Sequence, residues 1–161
     1  MQISPASPRT AVDLLDREFV SLLDSLHALT SSVPADLLYR RPPAVTIGEN
    51  ILKSAGVVEQ TFGGITTNLW DDPFEWTLPE TLSTPVHILE YLSEVETTQS
   101  RAFASIVNDD MLLKFIPVPS GNPCLLLELL VQTLNRASDY RGRAVATLKM
   151  LSDVSAAGFI I

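Results

Sequence analysis

Apolar residues return along this chain at intervals of three and four, in four stretches separated by proline-bearing polar segments. Val12, Leu15, Phe19, Leu22, Leu26 and Leu29 fall on one face of a helix, because 3.6 residues per turn brings such positions into line. The spacing predicts a helix over 10–31, with Thr10 as its N-cap three residues before Asp13 and Thr30-Ser31-Ser32-Val33-Pro34 as its stop. Pro34 and Pro42-Pro43 forbid a long helix in the linker behind it. Thr46 then stands three residues before Glu49 in the form of a capping box, and Ile47, Ile51, Ala55, Val58, Phe62 and Ile65 share one face. A second helix over 46–68 is expected, weakened by Gly56, Gly63 and Gly64.

Residues 69–82 hold both tryptophans and show neither helical nor alternating periodicity, so they read as a crossover loop. Ser83-Thr84-Pro85 supplies a cap and a first-turn proline, and Ile88, Leu92, Val95, Ala102 and Ile106 carry a third helix over 84–107. Pro117, Pro119 and Gly121-Asn122 mark 108–122 as a second long connection, anchored by Phe115-Ile116, with room for a short hairpin. Leu127, Leu130, Leu134, Ala137, Ala144, Leu148 and Leu151 resume the rhythm, interrupted at Arg141, and predict a fourth helix over 123–152. Four amphipathic helices, each about 30–45 Å long at 1.5 Å per residue, match well enough to pack side by side. The expected class is all-α, a four-helix bundle with long crossover loops, in a single domain over 1–161.

Composition narrows the partners. Eleven basic and nineteen acidic side chains leave a net charge of −8, a field that repels nucleic-acid phosphates and anionic lipid headgroups. Eleven acids stand against five bases in residues 1–80 and eight against six in 81–161, so a basic patch is expected in the second half. Every apolar run is too short or too interrupted to cross a bilayer, and MQISPASPRT has no apolar signal core. The lone Cys124 suits a reducing compartment, which favours the cytoplasm.

Two segments resemble a known family. Leu38-Tyr39-Arg40-Arg41-Pro42 followed by Thr46-Ile47-Gly48-Glu49-Asn50-Ile51-Leu52-Lys53 resembles the "RP … S-I-G-E-x-L-x-H" start of the second helix in DinB/YfiT-type proteins. Arg136-Ala137-Ser138-Asp139-Tyr140-Arg141-Gly142-Arg143 resembles the family's "H-E-A-H-H-R-G-Q" run in the fourth helix. The resemblance implies a four-helix bundle, homodimerisation through helix faces, and a divalent metal held by three histidines. Carried over position by position, those ligands fall on Lys53, Arg136 and Tyr140. Lysine and arginine are cations without a free lone pair at neutral pH, and a neutral tyrosine is a poor substitute for imidazole. The expectation is a divergent member without the metal, needing no cofactor.

Two positive charges where a dication would have been invert the preference of the site toward anions. Arg136, Tyr140 and Arg143 share a helical face, so a small anionic ligand is one reading of a crevice formed with Lys53 and Glu49. The competing reading is a crevice closed by ion pairs, Lys53 with Glu49 one turn earlier, Arg136 and Arg141 with Asp139, Glu128 or Glu59. Neither His27 nor His87 rebuilds the triad, and both read as ordinary helix-flank residues.

Other features carry less. Cys124 lies near the start of the fourth helix, where a helix dipole can activate a thiol, against the plainer reading of an inert buried cysteine. Gly63-Gly64 lacks the spacing of a phosphate loop. Trp70, Phe74 and Trp76 suit a pocket wall or a plug over the bundle end, and Gly158-Phe159-Ile160-Ile161 an apolar tail. The leading functional expectation is a metal-free DinB-like module that binds a small ligand or acts as a dimeric interaction unit. The alternatives are a small-molecule or thiol transferase working through Lys53, Arg136 and Tyr140, with Tyr140 as acid and Lys53 as base, and a purely structural partner-binding bundle.

Overall fold

The computed structural model describes residues 7–75 and 79–152, of Glu75 the backbone only. Four α-helices run through the described residues: α1 (Thr10–Ser32), α2 (Ile47–Thr67), α3 (Pro85–Ser105) and α4 (Leu126–Leu151). Each lies within three residues of its expected bounds. None is long and apolar enough to cross a membrane among the described residues. Trp76 and the Gly158–Ile161 tail lie outside the described residues.

The helix starts show which local signals won. Thr46 and Glu49 form the reciprocal capping box, the Glu49 backbone N–H donating to Thr46 Oγ1 (3.2 Å) and the Thr46 N–H to Glu49 Oε2 (2.7 Å). Thr84 caps α3, with Pro85 in the first turn. Thr10 is not the cap of α1: it is the first helical residue, and the cap position is Arg9, which makes no side-chain cap bond. The carboxylate of Asp109 caps the helix from afar, accepting from the N–H of Ala11 (3.1 Å) and Val12 (2.9 Å). In return Arg9 donates to the carbonyls of Phe103 (2.7 Å) and Ile106 (3.1 Å) at the end of α3. A charged acceptor on two orphan N–H groups outcompetes a threonine hydroxyl, and such a cap contributes about 0.5–2 kcal/mol.

Both connections contain short turns of 3-10 helix, Pro73–Glu75 in the first and Asp109–Leu113 in the second. The hairpin in the second connection is present as two two-residue strands, β1 (Phe115–Ile116) and β2 (Cys124–Leu125), paired antiparallel with Phe115 opposite Leu125. Because Cys124 and Leu125 are committed to that pairing, α4 begins at Leu126 rather than at Pro123.

The core closes around three phenylalanines from three helices. Phe19, Phe62 and Phe103 are almost fully buried, with ring centroids 5.0, 5.3 and 5.7 Å apart. Leu22, Leu26, Ile51, Val58, Leu92 and Leu130 extend this core along the four helices. The most extensive helix pair is α2 with α4. They run antiparallel, pinned where Ser54 donates to the Ala137 carbonyl (2.6 Å) and where the hydroxyls of Thr61 and Thr133 meet (2.7 Å). Both contacts are buried, so each hydroxyl keeps a partner when water is excluded.

Candidate functional site

The Ser54–Ala137 contact also determines which side chains meet at the surface above it. Lys53 precedes Ser54 on α2, while Arg136 and Tyr140 lie one residue before and three after Ala137 on α4. All three line one cleft of about 350 Å³, together with Val57, Gln60, Asp72 and Phe74. Lys53 Nζ lies 5.2 Å from the centroid of Phe74 and 5.9 Å from that of Tyr140, within reach of both ring faces. Lys53 and Tyr140 are half-buried and Arg136 is exposed.

The expected closure by ion pairs does not occur at these positions. Among the described residues neither Lys53 nor Arg136 makes an ion pair, and each acid considered for them is engaged elsewhere. Glu49 pairs with Arg41 (2.8 Å) while holding the capping box, and does not line the cleft. Asp139 pairs with Arg143 (2.7 Å), Glu59 accepts from the Tyr91 hydroxyl (2.6 Å), and Glu128 accepts from Gln132 (3.1 Å). Arg143 stands outside the cleft wall, its guanidinium 5.5 Å from the Tyr140 ring centroid. Arg141 turns to α1 and donates to Ser25 Oγ (3.1 Å).

Glu49 shows what its real environment does. Burial works against its charged form, but the backbone and hydroxyl of Thr46 and the guanidinium of Arg41 outweigh it and hold the carboxyl below its ordinary value. A depressed carboxyl adds stability that is fully present above its unfolded value and lost as pH falls through its folded one. Wild type and Glu49→Gln, which keeps an acceptor but not the charge, should therefore differ in urea midpoint at pH 7. The gap should narrow once pH drops below about 4, the ordinary glutamate range. A gap unchanged at pH 3 would contradict this assignment.

Of the two places open to Phe74, pocket wall or end plug, it takes the wall, whereas Gln60 and Asp72 join the cleft with no signal in the sequence to mark them. The loop that carries Asp72 and Phe74 has no periodicity, and its position rests on one glycine. A Cβ on Gly64 would come within 2.2 Å of the Trp70 ring, so only glycine lets the indole pack there. Trp70 Nε1 donates to Asn68 Oδ1 (3.0 Å), with Asn68 in the left-handed conformation that ends α2. The Trp70 carbonyl accepts from Gln60 Nε2 (2.8 Å), which brings the following Asp71–Phe74 segment over the cleft. Asp72 Oδ1 is occupied in part by the Phe74 N–H (3.0 Å).

The remaining candidates resolve simply. Cys124 is half-buried, and burial followed by the nearby Glu128 carboxylate pushes its thiol up, the opposite of activation by a helix dipole. Burial, with the charges of Glu49 and Glu80, raises the Tyr39 phenol, whose hydroxyl donates to the Leu82 carbonyl (2.5 Å). His87 is exposed, and His27 Nε2 lies 3.6 Å from Glu96, beyond a hydrogen bond. Among the described residues no three His, Cys, Asp or Glu side chains are grouped to hold a metal ion. The three groups at the positions the resemblance assigns to metal ligands, an ammonium, a guanidinium and a phenol, do not suit a divalent cation, and Asp72 brings one carboxylate to the cleft beside them.

In comparison with known proteins, no family model matches the chain, and neither a curated protein nor a solved structure matches it. What the geometry defines on its own is a mostly helical, four-helix, all-α protein with a basic cleft between α2, α4 and the α2–α3 loop.

Proposed function

We propose that this chain is a DinB-like four-helix protein working without a metal, and that it binds a small anionic ligand between Lys53, Arg136 and Tyr140. The observation that carries the reading is a pair of cations facing one open cleft with no ion-pair partner among the described residues. Ammonium and guanidinium donors that are not neutralised internally attract a carboxylate or phosphate, with the planar guanidinium suited to two parallel hydrogen bonds. Asp72 cancels one of the two charges and so favours a monoanion over a polyanion. Val57, Phe74 and Tyr140 add apolar wall, which suits a carboxylate on a small flat body.

Titration with benzoate and with inorganic phosphate at low ionic strength tests this. Binding with amide shifts centred on Lys53 and Arg136 is expected, weakened about tenfold by Arg136→Gln, as for one lost charge-assisted contact of about 1.4 kcal/mol. Equal binding by Arg136→Gln and Lys53→Gln, or none by the wild type at millimolar ligand, would overturn the reading. Zinc or nickel retained at one equivalent after dialysis would overturn its metal-free part. The homodimer rests on the family resemblance, and light scattering from a monomer at high concentration would remove it.

A further inference from the structure

A groove of about 990 Å³ lies between α2 and α3, larger than the basic cleft of about 350 Å³. We propose that this groove is a second binding site, taking a small amine that carries an apolar body. Its size is that of a small-molecule site rather than of a surface dimple. Gly63, Ile65, Leu69 and Met111 supply apolar lining. The polar groups are arranged by sign. Among the described residues, Glu59, Asp71 and Glu94 bring three carboxylates against the single cation of Arg101. Arg101 lies seven residues beyond Glu94 on α3, about 10 Å along the helix, so the two signs sit at different places along the groove.

The acidic part holds a positioned acceptor. Tyr91 is 6% exposed, and its hydroxyl donates to Glu59 Oε2 at 2.6 Å, which orients the carboxylate at the groove wall. An ionised carboxylate offers about four acceptor positions, so one phenol does not saturate it. Among the described residues neither Glu59 nor Glu94 has an ion-pair partner. An ammonium group set here meets the Glu59 carboxylate held by Tyr91, with Glu94 lining the same groove, while its apolar part lies toward Leu69 and Met111. An anion is disfavoured by the same charges. Among the described residues the groove and the basic cleft share only Gln60, so the amine site stands independently of the anion site.

The test uses the full chain and three ligands of one shape: 2-phenylethylamine, 2-phenylethanol and 3-phenylpropionate, followed by amide shifts. The amine is expected to bind at least fivefold more tightly than the alcohol, with shifts on α2 and α3 around Gly63 and Thr98. Glu59→Gln should erase most of that preference, and Thr98→Trp, which fills the groove, should abolish binding of amine and alcohol alike. Circular dichroism checks that each variant is folded, and Glu94→Gln gives an independent second reading if Glu59→Gln is not. Equal affinity for amine and alcohol, a preference that survives the Glu-to-Gln changes, or no amine binding at millimolar concentration would each overturn the proposal. Arg136→Gln should leave amine binding unchanged and Glu59→Gln should leave benzoate binding unchanged, so failure of one site is read separately from the other.

Discussion

Phe103→Ala is expected to lower the stability of the fold by about 3–5 kcal/mol, the usual cost of truncating a buried phenylalanine. The residue is 1% exposed and faces Phe19 and Phe62 with centroids 5.7 and 5.3 Å away. Its removal leaves two rings on different helices without their common neighbour. Each helix is anchored elsewhere, α2 to α4 by Ser54 and Thr61, α1 to α3 by Arg9 and to the following 3-10 turn by Asp109, so the site cannot collapse freely to refill the space. In a chain of this length each kcal/mol moves the midpoint by roughly 2–4 °C, so thermal unfolding should show a fall on the order of 10 °C. Phe103→Leu, which retains most of the volume, should lose clearly less. Equal losses for the two variants would mean that packing against the other rings is not what matters.

The second large effect is a reversal of sign between two glycine-to-alanine changes in helices. Alanine ordinarily stabilises an exposed helical position by roughly 0.5–1 kcal/mol over glycine. Gly142 in α4 has open space where a Cβ would be, so Gly142→Ala should follow that rule. At Gly64 a Cβ would lie 2.2 Å from the Trp70 ring, and the indole must leave. Gly64→Ala should therefore destabilise by about 1–3 kcal/mol, the range for overpacking a filled site. The displaced Trp70 carries the carbonyl that holds Gln60, and Gln60 lines both the basic cleft and the α2–α3 groove. Urea unfolding gives the stabilities, and tryptophan emission in a Trp76→Phe background should shift red for Gly64→Ala alone. A stabilised Gly64→Ala with unshifted emission would show that the loop does not depend on this contact.

What was legible in the sequence was local. The three-four recurrence of apolar residues locates the helices because burial of one face is what makes them stable, and the Thr46–Glu49 box is complete within four residues. Lys53, Arg136 and Tyr140 were brought together by a resemblance between motifs, and they share a cleft because Ser54 and Ala137 pin the two helices between them. The pairing expected for Lys53 failed for an equally local reason, since Glu49 was already taken by Thr46 and Arg41. Contacts between distant residues left no signal of their own. Asp109 reads as one acid in a polar loop, and nothing near Thr10 announces that its role as a cap is filled from elsewhere. The groove was hidden for a different reason. Tyr91, Glu94, Thr98, Arg101 and Ser105 recur at three and four like the apolar face, but as polar residues they pass for an ordinary solvated side.

The contacts of Asp109 with the start of α1 span 97 and 98 residues of chain. A ribosome releases a protein from its N-terminus, so α1 emerges long before the carboxylate that caps it exists. Throughout that interval the N–H groups of Ala11 and Val12 lack the acceptor they have in the folded chain, whereas Arg9 is already made when the carbonyls at the end of α3 appear. α1 thus reaches its final form only after α2 and α3 have been made, locked by a residue that follows all three.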